Sequence, residues 1–131
     1  MILVDTSVWI ELLGDSGLIR QVEPKLADFV TCPPVVQEIL QGFSDRASYQ
    51  VFEERLLAFP CLSEPVLLDL YVKAAAIYRE GRRRGYTVRS AVDCLVAAIA
   101  IEHSVPVWHR DRDFSTIAHY TTLRAVTGFV S

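Results

Sequence analysis

Residues 1–7 read Met1-Ile2-Leu3-Val4-Asp5-Thr6-Ser7, and this stretch decides the fold class. Three consecutive branched apolar residues predict a strand buried on both faces, as in a parallel sheet covered by helices. Such a strand can accommodate a carboxylate only at its end. Asp5 is therefore expected at the C-terminal edge of the sheet, where open α/β sheets bind their ligands. Ser7 is the predicted N-cap of a helix that begins at Val8.

Strands and helices alternate along the rest of the chain, which predicts a three-layer α/β/α sandwich around a central, mostly parallel sheet. Further strands are expected at residues 28–32, 59–62, 106–108 and 123–126. Helices are expected at residues 8–13, 18–26, 35–42, 45–58, 64–85, 90–104 and 113–118. The length of 131 residues predicts a single domain over residues 1–131.

The composition narrows the classes of protein to consider. A net charge of -3 argues against a bulk electrostatic grip on nucleic acid, although a local basic patch is compatible with it. The three cysteines are far apart and have no metal-site spacing, which favours a reducing cytoplasm over a disulfide framework. The longest apolar run, residues 94–101, is too short to span a bilayer, so no membrane association is expected.

Four acids fall at or near strand-to-helix junctions: Asp5, Glu38, Asp93 and Asp111. Because all such junctions of a parallel sheet lie at the same edge, the acids are expected to converge. Grouped carboxylates raise one another's pKa unless a cation compensates them. An all-oxygen ligand set selects a hard cation, Mg²⁺ or alternatively Mn²⁺, over zinc. Arg89 and Arg110 are close enough in sequence to pair with one acid each.

Structural explanations compete at several of these positions. Asp93 fits a capping box with Ser90, and Glu38 resembles an ordinary solvated helix residue when taken alone. Asp113 is predicted to be the N-cap of the last helix, whereas Asp111 has no such structural role. The three histidines have no ligand spacing, and His109 is the only one expected close to the site.

Taken together, these motifs resemble one known family. They are Ile2-Leu3-Val4-Asp5-Thr6-Ser7, Glu38 after a Pro-Pro helix start, Arg89-Ser90-x-x-Asp93, and His109-Arg110-Asp111-Arg112-Asp113-Phe114. The order and spacing are similar to those of PIN-domain ribonucleases of the VapC toxin type, which belong to type II toxin–antitoxin pairs. Each motif alone is weakly specific, but the opening strand combined with the late motif is strongly specific. The resemblance covers essentially the whole chain.

The resemblance implies a Mg²⁺-dependent endoribonuclease toxin that forms a homodimer and is neutralised by a cognate antitoxin. By position, the family's metal-binding and catalytic acids correspond to Asp5, Glu38, Asp93 and Asp111. Asp111 is favoured over Asp113 as the last ligand, directly or through water. Ser7, with Thr6 as the alternative, matches the hydroxyl that supports the site.

The implied reaction is metal-assisted hydrolysis of a phosphodiester, leaving a 5′-phosphate and a 3′-hydroxyl. Either Glu38 or Asp111 would orient or deprotonate the attacking water, with one or two metal ions. Arg82, Arg83 and Arg84 are candidate RNA contacts, with Tyr86 beside them for base stacking. The alternative is that these arginines only complement the dipole at the end of their helix.

An antitoxin helix is expected to dock in a groove formed by exposed apolar residues, although a core role is the simpler explanation for each. The groove candidates are Trp9, Leu12, Leu13, Phe43, Phe52 and Leu56.

Two rival functions remain open. Another metal-dependent α/β phosphoryl-transfer enzyme is disfavoured, because a phosphatase of the haloacid type needs Asp-x-Asp where this chain has Asp5-Thr6-Ser7. A receiver domain needs a late lysine, and Lys25 and Lys73 are the only lysines. A non-catalytic interaction module with a PIN-like fold is disfavoured because all four acids are present.

Overall fold

The computed structural model describes residues 1–128, so residues 129–131 of the predicted domain lie outside the described part. Its sheet has four parallel strands in the order β2-β1-β3-β4. They are β1 (Ile2–Val4), β2 (Phe29–Val30), β3 (Val107–Trp108) and β4 (Ala125–Val126). The chain leaves β1 toward β2 on one side and returns to β3 on the other. Asp5 therefore follows the strand at which the sheet order reverses, which is where such sheets form a ligand crevice.

Within residues 1–128, seven α-helices accompany the sheet, and the predicted α/β sandwich with a parallel sheet is confirmed. The helices are α1 (Thr6–Gly14), α2 (Ser16–Val22), α3 (Pro33–Gln41), α4 (Arg46–Leu56), α5 (Leu68–Arg83), α6 (Ala91–Glu102) and α7 (Arg112–Ala118). A 3₁₀ helix at Glu23–Asp28 follows α2, where a single helix over 18–26 was expected. Pro24 lacks the amide donor that would continue an α-helix through this turn.

Two further predictions about secondary structure are wrong. Residues 59–62 form only a parallel bridge between Thr31 and Cys61, held by the Thr31 amide on the Pro60 carbonyl (2.9 Å). The longest helix begins at Leu68 rather than at residue 64. Ser63 has a positive φ of 56°, and Pro65 biases the residue before it away from helical dihedrals. Residues 66–67 continue the apolar spacing of the helix, but they lie in the extended segment that leads into it.

The core lies between the sheet and the helices. Leu3 and Val4 of β1 are fully buried, as a central strand covered on both faces requires. Helix α6 buries every residue from 93 to 100, which confirms its nearly all-round apolar character. Trp9 on α1 packs edge-to-face on Phe29, with ring centroids 5.9 Å apart.

Several groove candidates for an antitoxin belong to this core. Trp9, Leu12 and Leu56 are buried, whereas Leu13 is 41% exposed. No helix within residues 1–128 is long and apolar enough to cross a membrane.

Candidate metal centre

Asp5 ends β1 and caps α1. Its Oδ2 atom accepts hydrogen bonds from the Ser7 amide (3.1 Å) and the Ser7 hydroxyl (2.6 Å). Ser7 was the predicted N-cap, and that prediction is wrong because Ser7 is already inside the helix. The Ser7 hydroxyl also accepts a hydrogen bond from the Arg110 amide (2.9 Å), which joins the end of β1 to the loop after β3.

Asp111 repeats the same arrangement at the end of β3. Its Oδ1 atom accepts a hydrogen bond from the Asp113 amide (2.9 Å), and its extended backbone (φ -107°, ψ 125°) is that of an N-cap. The prediction that Asp113 caps α7 is therefore wrong. In both cases the cap is an acid with extended backbone between a strand and the next helix: Asp5 directly follows β1, and Asp111 lies three residues after β3.

Asp113 instead anchors the start of α6. Its buried carboxylate accepts hydrogen bonds from the amides of Arg89 (3.2 Å to each oxygen) and Ser90 (3.0 Å). Ser90 caps α6 as predicted, accepting from the Asp93 amide (3.3 Å). In a complete capping box Asp93 would accept the Ser90 amide in return. Because Asp113 takes that amide, the carboxylate of Asp93 is available for the site.

The structure brings two of the four predicted acids, Asp93 and Asp111, into one compact cluster with Asp113, whereas Asp5 and Glu38 are not members of this cluster. Asp93, Asp111 and Asp113 each place one carboxylate oxygen so that all three atoms lie within 4.8 Å of one another. Burial, followed by the negative charge of Asp111, raises the pKa of Asp93 to about 9. Burial also raises the pKa of Asp5, to which the charge of Asp111 contributes.

Glu38 approaches the cluster from α3. It is half-buried, and its Oε1 atom accepts a hydrogen bond from the Thr6 hydroxyl (3.2 Å). Burial and then the charge of Asp5 raise its pKa, with a smaller contribution from Asp111. The two hydroxyls that the sequence offered as alternatives thus both serve acids, since Ser7 supports Asp5 and Thr6 supports Glu38.

The donor set fits a hard divalent cation. Asp5 Oδ1 and Asp93 Oδ2 are buried without a hydrogen-bond partner in the described part of the chain, which is costly unless a cation compensates them. Burial raises the pKa of the Cys32 thiol to about 12 and that of Cys94 to about 11, so neither is a thiolate at neutral pH. Carboxylate oxygens without a thiolate favour Mg²⁺ or Mn²⁺ over zinc.

Three neighbours of the acids, Arg89, Arg110 and His109, have roles that the sequence only partly predicted. Arg89 pairs with Asp111 and Asp113, which confirms it as a partner of the acids. Arg110 forms an ion pair with Glu11 on α1 (2.9 Å). His109 is buried beside the Phe114 ring, with centroids 5.3 Å apart, and burial lowers its pKa. Its position directly after the buried β3 was the available signal.

Comparison with known proteins places these features in a family. The model of the PIN domain matches residues 2–120. The VapC ribonuclease Mb1587 of Mycobacterium bovis and the ribonuclease VapC11 of Mycobacterium tuberculosis are each 41% identical over 133 residues, covering 97% of this chain and 98% of the relative.

Solved structures share the fold at lower identity. The VapBC-1 structure from nontypeable Haemophilus influenzae matches with a TM-score of 0.72 and 16% identity, over 95% of this chain and 96% of that one. A toxin–antitoxin complex from Klebsiella pneumoniae matches with a TM-score of 0.71 and 19% identity, over 97% of both chains. The chain belongs to the PIN-domain family and, by its identity to these relatives over nearly its whole length, to the VapC ribonucleases within it.

Proposed function

We propose that this chain is a Mg²⁺-dependent endoribonuclease toxin that a cognate antitoxin neutralises. The observation that carries the proposal is the pair of buried carboxylate oxygens, Asp5 Oδ1 and Asp93 Oδ2, that have no partner in the described residues. Both belong to acids that interact electrostatically with Asp111. The names of the relatives, ribonucleases and toxin–antitoxin complexes, support the same activity.

The proposed ligands are the four acids found in the sequence: Asp5, Glu38, Asp93 and Asp111. Asp113 is a positioning residue, because backbone amides of Arg89 and Ser90 already engage both of its oxygens. A bound Mg²⁺ ion would neutralise charge on the scissile phosphate and lower the pKa of a water molecule. The number of ions, one or two, is left open by this ligand set.

Glu38 is the proposed general base. It is the least buried of the acids with a raised pKa, and a raised pKa suits a group that takes a proton near neutral pH. Asp111 is less suited, because it caps α7 and pairs with Arg89. In the reaction the water oxygen bonds to phosphorus while the P–O3′ bond breaks. Glu38 accepts the water's proton, and the 3′-oxygen takes a proton from solvent, giving a 5′-phosphate and a 3′-hydroxyl.

Two apolar surfaces support the proposed protein partners. A cavity of about 200 Å³ beside Glu38 is lined by Ile10, Leu13 and Phe43, among others, and suits a helix of the antitoxin. Along α5, Leu68, Tyr71 and Val72 are exposed, and a larger cavity of about 480 Å³ lies between α5 and α6. We assign this second surface to the proposed homodimer, because contiguous exposed apolar area marks protein interfaces.

The test is cleavage of end-labelled RNA by the purified, antitoxin-free protein with Mg²⁺ or Mn²⁺. Asp5→Asn and Asp93→Asn should abolish the products, whereas Asp69→Asn, an exposed change on α5, should leave cleavage unchanged. The fragments should carry 5′-phosphates and disappear when metal is chelated. Absence of cleavage across tRNA, rRNA and mRNA would favour the non-catalytic interaction module. Cleavage that survives both site substitutions would place the active site elsewhere.

A further inference from the structure

Arg89 lies at the rim of the acidic cluster, in the segment between α5 and α6. Its Nη2 atom is 3.5 Å from Asp111 Oδ1, and its Nε atom is 3.6 Å from Asp113 Oδ1. The Arg89 side chain is 54% exposed, whereas that of Asp113 is 2% exposed. The half-exposed guanidinium therefore lies at the solvent edge of the cluster, against the buried Asp113 and the partly exposed Asp111.

The backbone of Arg89 is anchored by hydrogen bonds, whereas its guanidinium makes only long ion-pair contacts. The Arg89 amide donates to both oxygens of Asp113, which holds the main chain against the cluster. At 3.5 and 3.6 Å, the guanidinium contacts are too long for hydrogen bonds. Arg83 shows the difference, because its Nε donates to Glu80 at 3.0 Å in a two-pronged pair. A long, half-exposed ion pair such as that of Arg89 stabilises the fold only weakly.

We propose that Arg89 is a phosphate-binding residue of this nuclease. Its guanidinium lies against Asp111 and Asp113 and would bind the RNA phosphodiester once Asp111 holds a divalent cation. This inference rests on the proposed function. A cation on Asp111 would repel the guanidinium, and a phosphate offers two oxygens that match its planar fork. The loose side-chain contact allows this change of partner without any movement of the anchored backbone.

The inference predicts opposite effects on metal binding and on cleavage. Arg89→Met removes the cation that competes for the acids, so divalent metal should bind about threefold to fivefold more tightly, the range for a weak surface ion pair. Cleavage at saturating metal should nevertheless slow by about 10- to 100-fold, as expected when a charged hydrogen bond to the phosphate is lost. Arg89→Lys keeps the charge but not the fork, so its metal affinity should stay near that of the native protein while cleavage falls part-way.

Arg112→Met is the matched control. Arg112 is exposed in the first turn of α7, next to Asp111 and Asp113 in sequence, and the structure records no ion pair for it within residues 1–128. The substitution removes the same charge from the same neighbourhood. It should change metal affinity less than Arg89→Met does and leave cleavage unchanged.

The experiment combines calorimetric titration of Mn²⁺ into RNA-free protein with single-turnover RNA cleavage at saturating Mg²⁺. Thermal melts in chelator check that each variant folds. Weaker metal binding by Arg89→Met, metal binding no tighter than in Arg112→Met, or unchanged cleavage would each overturn the role of Arg89. A native protein that cleaves no RNA would overturn the proposed function itself, which the cleavage arm detects separately from the titration.

Discussion

At the scale of single residues, the site is built from acids whose carboxylate oxygens lack some of the hydrogen bonds they could accept. Asp93 is the clearest case. Its neighbour Asp113 accepts the hydrogen bond from the Ser90 amide that Asp93 would accept in a complete capping box. Its pKa is raised to about 9 by burial and by adjacent carboxylates. The metal-free native state therefore holds a proton on Asp93 at neutral pH that the unfolded chain releases near pH 4.

The stability of the metal-free protein should consequently fall as pH rises from 7 to 8.5. The native state binds more protons than the unfolded chain in this window, so the free energy of unfolding decreases by up to about 1.4 kcal/mol per pH unit. His109 does not oppose the trend, since its lowered pKa confines its titration to lower pH. Chemical denaturation in chelator should show the slope, and Asp93→Asn should flatten it. An unchanged or steeper slope in the variant would contradict the assignment of the proton to Asp93.

Ser7 and Thr6 should differ in their contribution to stability. Ser7→Ala removes a donor to Asp5 and an acceptor of the Arg110 amide, so we expect the free energy of unfolding to fall by about 1 to 3 kcal/mol. Cleavage should slow by about tenfold or more, because Asp5 loses the hydroxyl hydrogen bond that orients its carboxylate. Thr6→Val loses a single bond of 3.2 Å to half-buried Glu38, so its loss should be below about 1 kcal/mol. Urea unfolding and cleavage assays on both variants test the ranking, which equal losses would contradict.

At the scale of elements, the hydrophobic pattern predicted the buried strand and helix more accurately than the capping residues predicted the helix starts. The all-apolar run after Asp93 and the branched run before Asp5 each place one buried element correctly. The caps of α1 and α7 were assigned two residues too late. Asp-x-Ser and Asp-x-Asp each contain two good capping residues, and sequence alone does not say which backbone is extended. The tertiary partners decide it, since Ser7 is used by Arg110 and Asp113 by Arg89.

The sequence also does not predict how many residues of a short extended segment pair with the sheet. The Thr31–Cys61 bridge carries the extended geometry expected of residues 59–62, but pairing stops after one residue. The start of α5 was placed too early because apolar spacing continues through residues that Pro65 and the positive φ of Ser63 keep extended. The convergence of the acids followed from topology alone, whereas the role of Arg89 required the observed contacts.

The packing of α5 against the segment after α7 depends on Gly81. A Cβ atom at Gly81 would collide with the hydroxyl of Tyr120, which donates to the Ile77 carbonyl (2.8 Å). Gly81→Ala should therefore lower the free energy of unfolding by about 1 to 3 kcal/mol despite the better helix propensity of alanine. Gly14→Ala, where nothing lies within 4 Å, is the control and should be neutral or stabilising. Thermal unfolding compares them, and equal melting temperatures would contradict this account.

At the scale of the whole molecule, a net charge of -3 requires any RNA contact to be local. The arginine cluster on α5 is the candidate that the sequence predicted, but it is internally compensated. Glu80 pairs with Arg83 and Arg84 at its Oε1 atom, and these contacts lower its pKa to about 2. Arg82 lies over the Tyr78 ring, 5.5 Å from its centroid. The role of this arginine cluster in RNA binding stays a prediction, and a substitution at Glu80 can test it.

Glu80→Gln should strengthen RNA binding if the cluster contacts the substrate. The substitution releases Arg83 and Arg84 toward phosphates, so affinity at low salt should rise by about threefold and the salt dependence should steepen by up to about 0.7 for each new contact. Glu102→Gln on α6 changes net charge equally but removes only one partner of Lys73, which also pairs with Asp69, so it controls for overall charge. Fluorescence anisotropy against KCl, in the Asp93→Asn background to prevent cleavage, measures both quantities. Equal effects of the two substitutions would mean that the arginines serve the end of their helix, because a general gain in positive charge would then account for the change.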